Sequence, residues 1–288
     1  MSKVYQILTD QILKMIENGT APWLKPWKAS DPPRNISGRT YRGINTFMLN
    51  MVQVMKGYPE SVWLTYNQIK AAGGTIKAGE EKAHTPVYFW NWVKRTDESG
   101  EESTFPIFRF FLVYNIAQVD GIELPPHEAR EAVPVLDACE AIVNGMPNRP
   151  EIRYGGERAC YIPTIDKINI PHRETFDSAE SFYATLFHEL AHSTGHKSRL
   201  NRKEIDQPSY FGSHEYSREE LVAELAACFL SAEAGIAPKV IENTAAYLDG
   251  WSRALRSDPH LFATAAARAQ KAADYILNRK PDAGEGEG

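Results

Sequence analysis

The chain has 288 residues, 43% of them hydrophobic and 24% charged, the balance of a soluble globular protein with room for two domains of roughly 100–200 residues each. The longest apolar runs fall short of the ~18–20 residues of a membrane span, and the first residues lack the continuous apolar stretch of a secretory signal. The net charge of −5 is unevenly spread: residues 1–95 hold 13 Lys and Arg against 6 Asp and Glu, out of 32 and 37 in the whole chain. A basic N-terminal part thus precedes an acidic C-terminal part, a distribution that suits a polyanionic partner for the first.

In chain order, Val4, Ile7, Leu8, Ile12 and Ile16 recur at helical spacing, so residues 2–18 predict an amphipathic helix stopped by Gly19. A Pro- and Trp-rich loop follows over 21–34. It interleaves Trp23 and Trp27 with Lys25 and Lys28, and Arg34, Arg39, Tyr41 and Arg42 come soon after. Single-stranded nucleic acid is bound by such mixtures, in which cations follow the phosphates and rings stack on splayed bases. These eight residues are the candidate DNA contacts, set against the plainer reading of packed rings and solvated charges. Trp63, Trp90 and Trp92 are expected to pack in the interior or on a sheet.

Residues 44–55 read as a helix, and Thr65 is placed to cap a short helix over 66–72 that Gly73 and Gly74 end. Aromatic and β-branched residues crowd 86–94 and 105–116, around a polar connector, and predict a hairpin. Residues 118–134 read as a linker. A helix near 134–145, strands at 151–154, 158–162 and 166–170, and helices over 178–194, 217–234, 239–256 and 260–279 complete the second part. The tail 281–288 is too polar and Gly-rich to order itself. Three cysteines, Cys139, Cys160 and Cys228, have no CxxC spacing and are expected to be buried free thiols.

The chemistry concentrates in His188-Glu189-Leu190-Ala191-His192. Two histidines four apart on a helix point the same way and can share one Zn²⁺, while the intervening Glu can take a proton from an attacking water. A catalytic site needs a third protein ligand. Glu220 and Glu224 offer one, 28 and 32 residues beyond His192 on one face of a predicted helix. That helix resembles the second helix of the gluzincin metallopeptidases. The resemblance makes Glu220 the ligand, Ala223 the small residue after it and Glu224 a carboxylate that orients a histidine; Glu224 as ligand stays open as the alternative. Glu219 is expected to face solvent. The metzincin pattern would need a third His at position 198, where the chain has Ser198, so His196 is read as bonding locally. Tyr210 and Tyr216 are candidates to polarise a substrate carbonyl.

Beyond these motifs the chain resembles the ArdC-type antirestriction proteins of conjugative plasmids. The likeness rests on Ala21-Pro-Trp-Leu-Lys-Pro-Trp, on Gly38-Arg-Thr-Tyr-Arg-Gly-Ile-Asn and on the stretch from Gly73 to Trp90. In the second half it rests on Tyr161 to Pro171, Phe187-His-Glu-Leu-Ala-His-Ser-Thr-Gly-His and Glu219-Glu-Leu-Val-Ala-Glu. It implies a bacterial cytoplasmic protein that binds single-stranded DNA and shields incoming plasmid DNA from host restriction. The expected fold class is α+β in two domains with a disordered tail, 281–288. Residues 1–127 would be a mixed α/β single-stranded-DNA-binding domain. Residues 128–280 would be a mostly helical, gluzincin-like metallopeptidase domain with a small antiparallel sheet. The expected cofactor is one Zn²⁺ per chain, or another divalent metal, on His188, His192 and Glu220, with Glu189 as the catalytic base. A protein substrate or a host restriction component is the further partner, and no membrane is. The alternative is a DNA-binding antirestriction factor whose metal site is structural or unused.

Overall fold

The computed structural model describes residues 3–17, 32–96, 102–124, 135–202, 214–236 and 245–279. They form an α+β protein, as expected, whose contacts divide the described residues into two compact units: residues 32–124, and residues 3–17 with 135–279.

In the first of these units, β1 (Arg34–Asn35), β2 (Val62–Thr65), β5 (Glu102–Asn115) and β4 (Thr85–Thr96) lie in that order in one sheet, with β1 parallel to β2 and the other pairs antiparallel. Side chains of a strand alternate between the two faces, and here both faces are used. Val62, Leu64 and Tyr114 point into one cluster with Ile69 and Val119, while Trp63 and Val113 point into another with Leu49 and Val87. Trp63 is fully buried, as its expected packing role requires. Helix α2 (Ile44–Lys56) covers β4.

Helix α3 (Tyr66–Ala71) begins where Thr65 accepts from the backbone of Gln68 while the Gln68 side chain accepts from the backbone of Thr65, a reciprocal cap. The region read as a linker carries structure at its start. There β6 (Val119–Asp120) pairs antiparallel with β3 (Thr75–Ile76).

The second unit is mostly helical, with a small sheet of β7 (Glu151–Tyr154), β9 (Lys167–Ile170) and β8 (Cys160–Ile162). This sheet is mixed rather than antiparallel: β7 runs parallel to β9, and β8 lies antiparallel on its other side. A parallel pair needs a connection that returns to the starting end, and β8 lies within that return. Helices α4 (Val135–Gly145), α5 (Ala179–Ser193), α6 (His214–Ala234), α7 (Ala245–Ser257) and α8 (Leu261–Ile276) complete the unit. Helix α6 is packed by α4, α5 and α8. Between Leu221 and Leu230 most of its side chains are buried, as a helix enclosed on several sides requires. The Ser178 hydroxyl caps α5 by accepting from the Ser181 N–H.

The expected boundary at 127/128 put the first helix with the N-terminal part. By contacts, α1 (Lys3–Glu17) goes with the helical unit. It packs on α7 and α8 through buried Leu8, Ile12 and Ile16, the Thr9 hydroxyl donates to Pro259 O at 2.9 Å, and Glu17 pairs with Arg256. The free cysteines Cys139 and Cys228 are buried, but Cys160, expected to be buried, is exposed because it lies on the edge strand β8. The tail 281–288 and the connector 97–101 lie outside the described residues.

Strand β4 ends the sheet, and an unpaired edge leaves backbone groups to be satisfied. Asn45 of α2 does this at Tyr88: its Nδ2 donates to Tyr88 O at 2.6 Å, and its Oδ1 accepts from Tyr88 N at 2.6 Å, all buried. The amide thus stands in for a neighbouring strand. Replacement of Asn45 by Ala leaves a buried N–H and a buried C=O without partners, at about 1–3 kcal/mol each. Asn45→Ala is expected to lower unfolding stability by about 2–4 kcal/mol in urea titrations; a loss under about 0.5 kcal/mol would contradict this role.

Candidate metal centre

Helices α5 and α6 pack against each other, and each carries a fully buried alanine close in sequence to its donors, Ala191 before His192 and Ala223 after Glu220. On α5, His188 and His192 lie one turn apart. Their Nε2 atoms are 3.0 Å from each other. From α6, Glu220 brings Oε2 to 3.6 Å from His188 Nε2 and Oε1 to 3.5 Å from His192 Nε2. A tetrahedral ion with bonds of ~2.0–2.1 Å sets its donors about 3.3 Å apart, so two imidazoles and a carboxylate at these separations fit one divalent ion. Among the described residues, His188, His192 and Glu220 form such a group; the alternative ligand Glu224 stands outside it, one turn along α6, and acts on His188 through its charge.

The electrostatics agree with that donor set. Burial pushes the His188 pKa down, but the hydrogen bond to Glu220 and the charges of Glu189, Glu220 and Glu224 outweigh it and raise it. Burial pushes Glu220 up, and the two histidines more than reverse this, leaving its pKa lowered. Acidification therefore protonates His188, whose Nε2 an ion needs.

Glu189 is buried, and its Oε2 accepts from the Tyr161 backbone N–H at 2.7 Å. That bond sets its carboxylate against the outer edge of β8. Burial and the Glu189 charge both push the neighbouring Cys160 thiol up.

Glu219 departs from expectation. Instead of facing solvent it is buried, with Oε1 3.4 Å from His192 Nδ1. Arg202 donates from Nε to its Oε2 at 3.0 Å and from Nη2 to its Oε1 at 2.5 Å. Burial raises the Glu219 pKa, and His192 and Arg202 lower it by more. Glu219 is thus the carboxylate that stands at His192 Nδ1, while Glu220 stands at His192 Nε2. His196 bonds locally, as expected, with Nδ1 2.8 Å from Ser198 Oγ and 3.9 Å from Asp166. Helix α5 has ended at Ser193, so His196 does not continue its histidine face. Tyr210 and the side chain of Tyr216 lie outside the described residues.

Spacing alone also missed Arg199. Its nearly buried guanidinium donates to Ser193 O at 2.7 Å, to Asn148 O at 3.0 Å, to Asp166 and to the Tyr161 hydroxyl at 3.3 Å, and Tyr161 donates to Asp166 at 2.8 Å. This network ties the end of α5 to the turn between β8 and β9. No linear motif marks it, because its members are far apart in the chain.

Of the candidate DNA contacts, Trp23, Lys25, Trp27 and Lys28 lie outside the described residues. Arg34, Arg39, Tyr41 and Arg42 fall together around a tight turn. Asn35 Oδ1 accepts from the backbone N–H of Ser37 and Arg39 at 3.1 and 2.9 Å, and Gly38 takes φ +85° there, a value that glycine tolerates without strain. Arg39 is exposed at the tip, while Arg34 and Arg42 are half-buried. Tyr41 packs against the cluster of Leu49, Trp63, Val87 and Val113, and burial, partly offset by Arg39, pushes its pKa up to about 12.

Comparisons with known proteins cover both halves. A family model described as the N-terminal domain of anti-restriction factor ArdC matches residues 2–114, and one described as a zincin-like metallopeptidase matches residues 138–268. The crystal structure of antirestriction ArdC protein from plasmid R388 in its metal-free form superposes with a TM-score of 0.73 at 38% identity, over 97% of this chain and 100% of that one. Its Mn(II)-bound form gives 0.73 at 39%, over 96% and 97%. Among curated proteins, y4eC of Sinorhizobium fredii is 34% identical over 97% of this chain and 93% of its own length. Two proteins named DNA primase TraC from Escherichia coli are each 34% identical over 95% of this chain, which spans 27% of one and 20% of the other.

The Arg199 network has a measurable acid limit. Burial raises the Asp166 pKa, but Arg199 and Tyr161 pull it below its ordinary 3.8. Its stabilising contribution is therefore complete above the ordinary value and lost as pH falls through the lowered one. Arg199→Met should cost about 2–3 kcal/mol at pH 7, less than a fully buried pair because Asp166 can rehydrate, and should flatten the loss of stability on acidification below pH 4. Denaturation curves with the same acid dependence in both proteins would refute this.

Proposed function

The chain belongs to the ArdC-type antirestriction family, and on that premise we propose that it protects incoming plasmid DNA in the bacterial cytoplasm. In this reading the sheet-containing unit binds single-stranded DNA and the helical unit carries a zinc-metallopeptidase-type site. The observation that carries the second part is the meeting of His188, His192 and Glu220 donors at 3.0–3.6 Å across α5 and α6. A homologous chain whose crystal structure is described as Mn(II)-bound supports a divalent ion, and the borderline N/O donor set suits Zn²⁺.

His188 and His192 would present Nε2, Glu220 one carboxylate oxygen, and Glu224 would remain in support of His188. When bound, the ion would polarise a scissile carbonyl and make a water acidic near neutral pH. Glu189 would take the proton of that water and return it to the leaving amine. Its bond to the Tyr161 N–H uses one acceptor site of Oε2 and would leave further lone pairs of the carboxylate for that proton. The same strand edge suits an extended peptide, because main-chain groups of an edge strand pair with an added one. A protein on the incoming DNA, or a host restriction component, is therefore the better substrate class for an acidic unit than DNA itself.

For DNA, the arginine turn supports the reading: Arg39, Arg34 and Arg42 cluster where Asn35 and Gly38 shape the backbone. Tyr41 is set against the interior, so its part would be to support the turn while stacking falls to the tryptophans of 23–27. Binding that follows phosphates weakens steeply with salt.

The deciding experiment is antirestriction activity of Glu189→Ala beside wild type, with metal content and DNA affinity measured on both. The variant should keep about one equivalent of metal and its DNA binding, and lose protection in cells. Full protection would transfer the function to DNA binding alone and leave the metal a structural part. His188→Ala and Glu220→Ala should lose the metal; retention in Glu220→Ala with loss in Glu224→Ala would exchange their roles. Single-stranded DNA affinity of Arg39→Ala with Arg42→Ala should fall and show a shallower salt dependence.

A further inference from the structure

We propose that Arg202 and Glu219 form a positioning pair that fixes the ring of His192 for metal binding and locks α5 to α6. The inference rests on the metal site proposed above. Neither residue belongs to its donor set.

An imidazole can offer Nε2 to an ion only if that nitrogen is bare, so the ring proton must sit on Nδ1. His192 Nε2 faces His188 and Glu220, and His192 Nδ1 faces Glu219 Oε1 at 3.4 Å. A carboxylate at Nδ1 selects the tautomer with its proton there. A lone buried carboxylate would be costly, and its partner is Arg202, which grips both oxygens in a fork at 3.0 and 2.5 Å. Arg202 in turn is fixed to the end of α5. Nη1 donates to Thr194 Oγ1 at 2.6 Å, Nη2 to Ala191 O at 2.9 Å, and its backbone N–H to Gly195 O at 2.9 Å. Both side chains are over nine-tenths buried. One guanidinium thus joins the last turn of the histidine helix to the carboxylate that precedes Glu220 on the other helix.

The test is metal affinity, read by competition with a chromophoric chelator for Zn²⁺ and for Mn²⁺. It uses the full chain and is paired with ¹⁵N imidazole shifts of His192 and thermal unfolding of the metal-free protein. Glu219→Gln is expected to weaken affinity about 10–100-fold, as loss of such a partner does, with one site retained and a changed His192 tautomer signature. Arg202→Lys keeps the charge but not the fork and should weaken affinity as well. Where Glu219→Gln unfolds, Arg202→Met with Glu219→Leu removes the charges together, which buried pairs tolerate, and should still show the loss of affinity. Wild-type affinity and an unchanged His192 spectrum in a folded variant lacking the Glu219 carboxylate would overturn the proposal while leaving the metal site intact. If His188→Ala binds metal as wild type does, the site itself fails, and the proposal falls with it.

Discussion

The helical unit depends on the contact between α5 and α6. Each helix supplies an incomplete ligand set, and each donor is useful only within a few tenths of an ångström of its place. Helix geometry fixes the first half without help: 3.6 residues per turn set His188 above His192 whatever else the chain does. The second half is a tertiary matter. Glu220 reaches the histidines because α5 and α6 pack together, and because α4 and α8 also pack on α6. Dense packing of this kind resists small displacements, which is what a site built from two separate helices requires.

The same enclosure explains what the sequence concealed. The histidine motif was legible because its spacing is local, and so was the cap at Thr65, where a hydroxyl and a following helical pattern sit within four residues of each other. The β4–β5 hairpin was legible from its aromatic density. Helix α6 was not legible face by face. An enclosed helix has no polar stripe, so periodicity could not tell which of Glu219, Glu220 and Glu224 pointed inward. Glu219 reads as solvated because it lies off the face that carries Glu220 and Glu224, and its partner Arg202 lies 17 residues away in the chain. The two-residue strands β1, β3 and β6 were equally hidden, since two residues cannot display a period of two.

Charge follows a related logic. Three carboxylates of the helical unit are answered by a cation or a ring nitrogen: Glu219 by Arg202 and His192, Glu220 by both histidines, Asp166 by Arg199. Interior ion pairs contribute little net stability because desolvation offsets attraction. Their effect here is on geometry. Arg202 and Arg199 both donate to backbone carbonyls around the end of α5, at Ala191 and Ser193, where a helix leaves acceptors unpaired. Two arginines thus finish one helix end, and each then holds a different carboxylate in place, one beside His192 and one beside the turn that follows β8.

The position of α1 bears on how the two activities can be separated. A cut at 127/128, the place that composition suggests, would carry α1 away with the sheet-containing unit. Leu8, Ile12 and Ile16 would lose the surfaces of α7 and α8 against which they are buried. At about 25 cal/mol per Å² of apolar surface, stripping three large aliphatic side chains costs both fragments: one gains an exposed apolar stripe, and the other loses the cover of its C-terminal helices. By contacts, α1 belongs with the helical unit, while β1, β2, β4 and β5 belong to the other. A fragment beginning near residue 30 isolates the arginine turn and the sheet without an orphaned amphipathic helix, but it gives up the tryptophans and lysines of 23–28. DNA binding by such a fragment would therefore report the arginine turn alone, whereas binding by residues 1–127 would combine the full candidate interface with a sticky helix that the intact protein keeps packed.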